Sequence, residues 1–314
     1  MKKLTYLAII LVAFVQASCK KDPLSTVNND SGSWNNERSI KSIKFEHQVG
    51  PAEISRVDGS TGKVNISINI DAVPDLSNIA VKQLVLSYDA KSSVGEGDAL
   101  NFQNDSNSAT IKVTSSTGKT RTYTVTAKSF SESLVGTYDI TELSLYGGTG
   151  PEYGGGAVLD LTDKPWDWPD TGGPEAELDN TLTFKMTGIT DAGNTYGTIE
   201  NSAGDDGAYA DFMFVGDPKT DVNHFYRKIP KGKGMWKRNY ATGTITITFP
   251  DSSQTMGTFE QSGTQDLGNG LSHTTENVAL EFDLNGKDDW DNIYSDYDKF
   301  VERPRKFWIE MKKK

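Results

Sequence analysis

The chain has 314 residues, of which 35% are hydrophobic and 10% aromatic, with 30 glycines and a formal net charge of −11 at pH 7. This acidic balance argues against a nucleic-acid partner, which needs a basic footprint, and against adsorption to anionic lipid. Low hydrophobic content with many glycines is typical of small β domains with many turns, and not of helical bundles or disordered chains.

The N-terminus has the pattern of a targeting segment. Lys2 and Lys3 give a basic start, residues 4–15 are almost unbroken apolar sequence, and small residues precede Cys19, the only cysteine. The apolar stretch is shorter than the roughly 20 residues that a spanning helix needs, so we predict a signal peptide over residues 1–18. With one cysteine, an exported chain has no internal disulfide.

Small residues directly before a lone cysteine resemble a bacterial lipobox. In that family the cysteine thiol is diacylated and becomes the first residue of the mature protein, so the resemblance implies lipidation of Cys19. It also implies an outer-membrane lipoprotein of a Gram-negative envelope, on the cell surface or the periplasmic face, attached to the membrane through its lipid anchor only. Ordinary secretion with an unmodified Cys19 is the alternative. Residues 19–39 are polar and rich in Asn and Ser, which predicts a lipid anchor and flexible tether.

Residues 40–130 have the strand pattern of one β domain. Residues 64–70 alternate strictly between apolar and polar side chains, so one face of this strand is predicted to be buried. Residues 109–114 and 122–127 flank a turn that contains Gly118, which predicts a hairpin. Strands about ten residues apart over roughly 90 residues predict an Ig-like β-sandwich.

Three strings in this segment resemble the N-terminal Ig-like modules of Bacteroidota surface lipoproteins. They are IKSIKF at residues 40–45, PDLSN at residues 74–78 and RTYTVTA at residues 121–127. In such modules the usual role is that of a spacer that lifts a distal domain away from the membrane. The resemblance implies the same role here.

Residues 134–314 are predicted to form a second β domain, after a boundary at residues 129–133. Its opening, LVGTY at residues 134–138, resembles the first strand of lipocalin-like (calycin) barrels, in which the aromatic residue plugs the closed end. Eight candidate strands suit an up-and-down barrel or a two-sheet sandwich. These strands are 138–145, 181–188, 196–200, 209–215, 239–249, 256–261, 277–284 and 306–312. The predicted fold is all-β, an Ig-like β-sandwich followed by an antiparallel lipocalin-like β-barrel. Residues 288–303 could form a short helix before the last strand.

No catalytic or metal-binding motif is recognisable in the sequence. His47, His224 and His273 lack a metal-type partner two or four residues away, and no hydrolase or phosphate-binding motif is present. We therefore predict no enzyme activity, no catalytic residue, no metal and no cofactor. A hydrolase is an alternative, and it would require two carboxyl groups roughly 5–10 Å apart, at least one with a raised pKa. A structural calcium ion in the Asp-rich turn at residues 283–291 is another.

The loop at residues 146–174 is dense in Gly and Pro, yet it contains two Trp and two Tyr. The candidate ligand contacts in this loop are Tyr146, Tyr153, Trp166, Asp167 and Trp168. Flat rings beside carboxylates are what a sugar site needs, because rings stack on C–H faces and carboxylates accept from hydroxyls. On a strand, Trp166 and Trp168 would point to the same side. The alternative is an apolar lid in which the rings pin the loop to its own barrel.

A second aromatic region at residues 225–240 adds Trp236 as a candidate ligand contact. Residues 228–234 within it are basic and contain glycine. This stretch is either a loop that meets an acidic or sulfated ligand or a solvated hairpin tip.

The order of lipid anchor, Ig-like module and distal domain resembles the surface glycan-binding lipoproteins of polysaccharide-utilisation systems. The resemblance implies that aromatic loops of the C-terminal barrel bind a polysaccharide or oligosaccharide. One alternative is a structural or adhesion lipoprotein that contacts a protein partner in an envelope complex. Another is a small hydrophobic ligand held inside the barrel.

Overall fold

The computed structural model describes residues 35–69, 73 and 75–314, so the predicted signal peptide and Cys19 lie outside the described residues. Regular structure is almost entirely β, which confirms the predicted fold class. The chain forms two compact units. Among the described residues, the first comprises 35–46, 52–66 and 75–128, and the second comprises 47–51, 67–69, 73 and 129–314. The domain boundaries at 40–130 and 134–314 stay predictions.

Eight strands form the N-terminal β-sandwich. They are β1 Ile40–Phe45, β2 Gln48–Arg56, β3 Thr61–Ile68, β4 Ile79–Leu86, β5 Lys91–Ser92, β6 Ala99–Leu100, β7 Ser108–Thr114 and β8 Thr120–Ser129. One sheet has the order β1-β4-β6 and the other the order β2-β3-β8-β7-β5. This two-sheet arrangement of short antiparallel strands is Ig-like, as predicted.

Side-chain alternation along the strands produces the sandwich core. In β3, Val64, Ile66 and Ile68 are buried, in agreement with the period of two in the sequence. The predicted hairpin joins β7 to β8 in antiparallel register. Tyr123 on β8 accepts a 3.3 Å hydrogen bond from the backbone N–H of Ile40 on β1, so its hydroxyl links the two sheets.

The C-terminal unit is built on strands β9 to β19. They are β9 Gly136–Gly147, β10 Ala157–Asp160, β11 Thr181–Ile189, β12 Thr195–Ser202, β13 Met213–Phe214, β14 Thr220–Asp221, β15 Gly232–Asn239, β16 Thr244–Thr248, β17 Gln254–Gly268, β18 Leu271–Asp283 and β19 Pro304–Lys313. Eight of them pair antiparallel in the order β9-β11-β12-β15-β16-β17-β18-β19, and β19 pairs back to β9. The result is a closed, eight-stranded up-and-down barrel.

Two predicted strands differ from those observed. Residues 209–215 lie outside the barrel and contribute only the two-residue strand β13, whereas β15 is the barrel strand that the sequence prediction lacked. The predicted strand 239–249 is divided because residues 240–243 form a turn in which Gly243 has a φ of +73°. The basic stretch 228–234 therefore leads into a barrel wall instead of forming a hairpin tip.

Tyr138 occupies one end of the barrel, as the lipocalin-like opening implies. Its ring is buried and its hydroxyl donates to the carbonyl oxygens of Ser133 and Leu134, at 3.0 and 3.1 Å. The ammonium of Lys313 on the last strand lies 5.7 Å from the ring centroid. The first and last strands thus close this end together.

The long connections of the barrel all lie at the opposite end. They join β9 to β11 (residues 148–180), β12 to β15 (203–231) and β18 to β19 (284–303), and we call these three segments the lid. The lid contains β10, β13, β14 and several short helical turns. These turns are Pro151–Tyr153, Leu161–Asp163, Pro165–Asp167, Pro174–Glu177, Asn223–Tyr226 and Asp298–Glu302. The helix expected over 288–303 is limited to the last of them.

Candidate functional site

The inner surface of the lid fills the mouth of the barrel with aromatic rings. Trp168 is 3% exposed, and its indole N–H donates to the Leu161 carbonyl at 2.7 Å. Its ring meets those of Phe214, Tyr226 and Phe300 edge to face, at centroid distances of 6.5, 6.1 and 5.4 Å. These rings join the main hydrophobic core of the barrel. Side chains therefore fill this end of the barrel.

Two buried polar clusters hold the lid segments to each other. In the first, the fully buried carboxylate of Asp298 accepts from the Thr149 backbone N–H at 2.6 Å and from its hydroxyl at 2.7 Å. The Thr149 hydroxyl oxygen also accepts from the backbone N–H of Asp289 at 2.7 Å. This cluster joins the first lid segment to the third.

The second cluster is centred on Glu177, which is 1% exposed. Its carboxylate accepts from the side-chain amides of Asn180 and Asn201, at 3.1 and 3.0 Å, and pairs with Arg227 at 2.5 Å. A buried carboxylate needs such donors because burial without them is costly. This cluster joins the first lid segment to the second and to the barrel wall.

The outer surface of the lid has the opposite character, because four large aromatic rings are exposed on it. We call Tyr153, Trp166, Trp290 and Tyr294 the aromatic platform; their exposed fractions are 66%, 66%, 57% and 59%. Among the described residues of the C-terminal unit, the other large exposed hydrophobic side chains are Met235 and Met256 on the barrel wall. Exposed aromatic residues that concentrate on one surface indicate a binding surface.

Backbone geometry fixes the orientation of three platform rings. Trp290 and Tyr153 are in an edge contact at 6.3 Å between centroids, and the Tyr294 hydroxyl donates to the Tyr153 carbonyl at 2.9 Å. Tyr294 has a φ of +77°, a strained backbone conformation for a non-glycine residue. Gly150 lies directly under Trp290, and a Cβ at this position would come within 3.0 Å of the indole ring. The glycine-rich loop thus allows the rings to lie against its backbone.

Trp166 is linked to the same surface by an ion pair. Lys164 lies 5.6 Å from the centre of the Trp166 ring and donates to both carboxylate oxygens of Asp296, at 2.7 and 2.8 Å. Lys299 approaches Asp296 at 3.9 Å. The first lid segment is thereby attached to the third beside Trp166.

Asp167 lies beneath this ion pair and is 6% exposed. Burial raises the pKa of Asp167 to about 6, and the nearby Asp296 carboxylate adds to this shift, while Lys164 and Lys299 oppose it. With both carboxyl groups ionised, Oδ2 of Asp167 has no hydrogen-bond donor among the described groups. A protonated Asp167 can donate to Asp296, so its protonation favours the observed arrangement.

A groove of about 670 Å³, within the size range of small-ligand sites, is lined by Pro165 and Trp168, which lie on either side of Trp166 in the chain. Its lining includes three carboxylates, from Asp170, Glu175 and Asp206, and the backbone of a Pro- and Gly-rich turn at residues 169–174. We call this feature the acidic groove.

The structure separates the six predicted ligand residues into two groups. Tyr153 and Trp166 are on the aromatic platform. The other four, Tyr146, Asp167, Trp168 and Trp236, are buried. Trp236 lies in the barrel core and its indole N–H donates to the carbonyls of Lys185 and Thr198. Of the six predicted residues, only Tyr153 and Trp166 therefore present exposed side chains to solvent.

The prediction that the rings of Trp166 and Trp168 point to the same side is wrong, because the chain here is not a strand. Residues Pro165–Asp167 form a 3-10 turn, not a strand, and the chain becomes extended again only at Trp168. In a 3-10 turn, successive side chains are about 120° apart, so rings two positions apart diverge. One ring therefore points outward and the other inward.

Sequence reasoning missed Trp290 and Tyr294. Trp290, Ile293, Tyr297 and Phe300 recur at helical spacing, which by itself predicts a packing face. In the structure only Phe300 is fully buried in the core, and Tyr297 is partly buried against it. The available signal was the density of Asp and Asn around Trp290, which is typical of a turn and not of a helix.

The acidic side chains of the described residues are the candidates for metal binding. Across the described parts of the chain, no three His, Cys, Asp or Glu side chains are grouped so that they could hold a metal ion. In the turn considered for calcium, Asp283 pairs with Lys306 at 2.7 Å and Asp288 with Arg303 at 2.9 Å, so these carboxylates already form ion pairs with protein side chains.

No helix within the described ranges is long and apolar enough to cross a membrane.

No protein-family model matches the sequence, and no curated protein matches it. Among solved structures, a weak likeness is found to the crystal structure of a presumed secreted protein from Bacteroides fragilis. The two are 13% identical, and the likeness covers 32% of this chain and 99% of that chain with a TM-score of 0.23. A TM-score this low carries no argument about function, so any functional conclusion depends on the lid itself.

Proposed function

We propose that this protein is a cell-envelope lipoprotein that binds a glycan at the lid of its C-terminal barrel, through the aromatic platform and the acidic groove. The observation that carries the proposal is that four aromatic rings are exposed on one surface whose backbone is held by buried polar clusters. Exposure of these rings to water is unfavourable in the free protein, and a ligand with flat apolar faces would reduce it.

Sugar rings match this surface chemically. One face of a pyranose presents C–H groups that cover an aromatic ring, at about 25 cal/mol per Å² of apolar area removed from water. Its hydroxyls can donate to the carboxylates of Asp170, Glu175 and Asp206 in the acidic groove. The combination of apolar faces and hydroxyl donors is what distinguishes a glycan from a purely apolar ligand.

Rigidity of the platform also supports the proposal. The hydrogen bonds of Thr149 with Asp298, and of Tyr294 with Tyr153, hold the rings before a ligand arrives. Side chains that are already ordered lose less conformational entropy on binding. A surface of this kind can bind a polymer without a conformational change in the lid.

The envelope location is the second part of the proposal, and it depends on the N-terminal sequence. The apolar stretch at residues 4–15 and the small residues before Cys19 support export and lipidation. We expect cells that express the full chain to incorporate labelled palmitate into it, and a Cys19→Ser variant to lose the label. Equal labelling of both chains would contradict the lipid anchor and leave glycan binding to be judged separately.

The test of glycan binding is affinity electrophoresis of the full chain in gels that contain a panel of plant, algal and host polysaccharides. We expect at least one polymer to retard the protein, and Trp166→Ala to weaken the retardation at least tenfold, since a sugar face that removes about 55 Å² of apolar surface from water contributes about 1.4 kcal/mol at 25 cal/mol per Å². Tyr88→Ala is the matched control, because Tyr88 is a 79% exposed aromatic residue of the N-terminal unit.

Two results would contradict glycan binding. In the first, no polymer retards the protein, and the exposed rings then indicate a protein partner in the envelope. In the second, a polymer retards the protein but Trp166→Ala, Tyr153→Ala and Trp290→Ala all bind as well as Tyr88→Ala. Circular dichroism of each variant establishes that the β structure is retained.

A further inference from the structure

The lid is much more acidic than the rest of the chain. Residues 148–180 contain eight Asp or Glu and a single basic residue, Lys164. Residues 203–231 contain five Asp and four Lys or Arg, and residues 284–303 contain six Asp or Glu and three Lys or Arg. The lid therefore has 19 acidic and 8 basic residues, whereas the rest of the chain has 24 of each. Carboxylates therefore dominate the electrostatic potential around the aromatic platform.

The two ammonium groups beside the platform rings, those of Lys164 and Lys299, both lie next to the Asp296 carboxylate, at 2.7 and 3.9 Å. The residues that line the acidic groove include Asp170, Glu175 and Asp206 and no Lys, Arg or His. These three carboxylate residues are exposed, so a ligand in the groove would meet them directly.

Charge on the sugar would decide whether these carboxylates attract or repel it. The hydroxyls of an uncharged sugar donate to carboxylates in charge-assisted hydrogen bonds. A uronate or sulfate group would instead be placed beside like charges, which repel it. The Debye length is about 8 Å at physiological ionic strength, so several of these carboxylates would act on the same group.

We infer that the glycan bound at the lid is an uncharged polysaccharide, and that Asp170, Glu175 and Asp206 are the residues that reject uronate- and sulfate-bearing polymers. This inference rests on the proposed glycan-binding function and goes beyond it by naming the substrate class and the residues that select it. The inference depends on the chemistry of the groove lining together with the exposed rings of the same lid.

The experiment compares polymers in matched pairs that share a backbone and differ in charge. Suitable pairs are β-1,4-mannan with mannuronan, and dextran with dextran sulfate. The full chain is run in affinity gels with each polymer at low and at high salt. We expect the uncharged member of one pair to retard the protein at least tenfold more strongly than its anionic partner, and the difference to shrink at high salt because salt screens the repulsion.

A triple variant, with Asp170→Asn, Glu175→Gln and Asp206→Asn, tests the three selecting residues. The amides keep the size of the side chains and remove the charges, so we expect the affinity for the anionic partner to rise at least fivefold. The matched control is Glu53→Gln, Asp105→Asn and Glu276→Gln, which removes the same number of negative charges at exposed positions outside the lid.

Each outcome bears on a different statement. If the anionic member is bound as well as the neutral one, or better, the inference is overturned. Glycan binding at the lid still stands in that case, provided that Trp166→Ala weakens the retardation by the polymer. If the triple variant leaves the neutral-to-anionic ratio unchanged, the three carboxylates are not the selecting residues. If no member of any pair is bound, and the wider panel is also negative, glycan binding itself fails.

Discussion

The inner and outer surfaces of the lid contain the same residue types in opposite environments. Trp168 is 3% exposed and packs among Phe214, Tyr226 and Phe300, whereas Trp166, two positions earlier, is 66% exposed. Tyr226 and Tyr294 form a second such pair, since one is buried and the other exposed. An aromatic-rich loop can therefore close a barrel with one surface and still expose aromatic rings on the other.

The polar residues of the lid differ in the same way. Asp298 and Glu177 are buried and accept hydrogen bonds from protein donors, whereas Asp170 and Glu175 are exposed in the acidic groove. The buried carboxylates hold the lid segments together. The exposed ones remain available for hydroxyl groups of a ligand.

The largest expected effect separates the two tryptophans. Trp168→Ala removes a buried indole from the core and should lower the free energy of unfolding of the C-terminal unit by about 3–5 kcal/mol. Trp166→Ala should change it by no more than about 0.5 kcal/mol, because the ring is exposed. Chemical denaturation followed by tryptophan fluorescence and circular dichroism measures both. Equal losses of unfolding free energy in the two variants would contradict the assignment of Trp168 to the inner surface and Trp166 to the outer surface.

A smaller effect is expected where the inner surface supports the outer one. Asp298→Ala leaves the buried N–H and hydroxyl of Thr149 without an acceptor and should lower the free energy of unfolding by about 2–3 kcal/mol. We also expect it to weaken polysaccharide retardation, since Asp298 holds the platform loops together. Asp298→Asn keeps one oxygen acceptor and should be intermediate, and Asp291→Ala, an exposed carboxylate of the same segment, is the control. Normal binding by a destabilised Asp298→Ala chain would show that the platform does not need this support.

The smallest effect is a pH dependence of stability at the boundary between the two surfaces. Because the pKa of Asp167 is raised to about 6 in the folded protein, the folded state binds a proton that the unfolded chain has released above about pH 4. The stability contributed by this group is therefore present below about pH 4 and is lost as the pH rises through about 6.

Asp167→Asn should remove this dependence. The variant should be about 1–2 kcal/mol more stable than the parent chain above pH 7, and the difference should vanish as the pH falls towards 4. Thermal or chemical unfolding from pH 4 to 8 measures it, and Asp170→Asn, at an exposed carboxyl, is the control. A constant difference between the variant and the parent across this range would show that Asp167 does not titrate there.

Much of the fold follows from local patterns in the sequence. Alternation of apolar and polar residues in β3 and β16 predicts their buried faces, and the residues Gly136-Thr137-Tyr138 indicate the first barrel strand and its plugged end. The loop at residues 146–174 was also found from the sequence, since rings are unusual in a segment rich in Gly and Pro. These features are local because side-chain period and turn residues act over a few positions.

The sequence alone thus determined an all-β chain with a barrel, and it indicated one aromatic loop as the place to search for a site. Tertiary structure decided which rings of that loop face water, because a 3-10 turn at Pro165–Asp167 turns Trp166 outward while the core encloses Trp168. It also brought Trp290 and Tyr294 to Tyr153, although about 140 residues separate them in the chain. Such a juxtaposition depends on closure of the barrel by β19 on β9, and no pattern within a few residues can contain it.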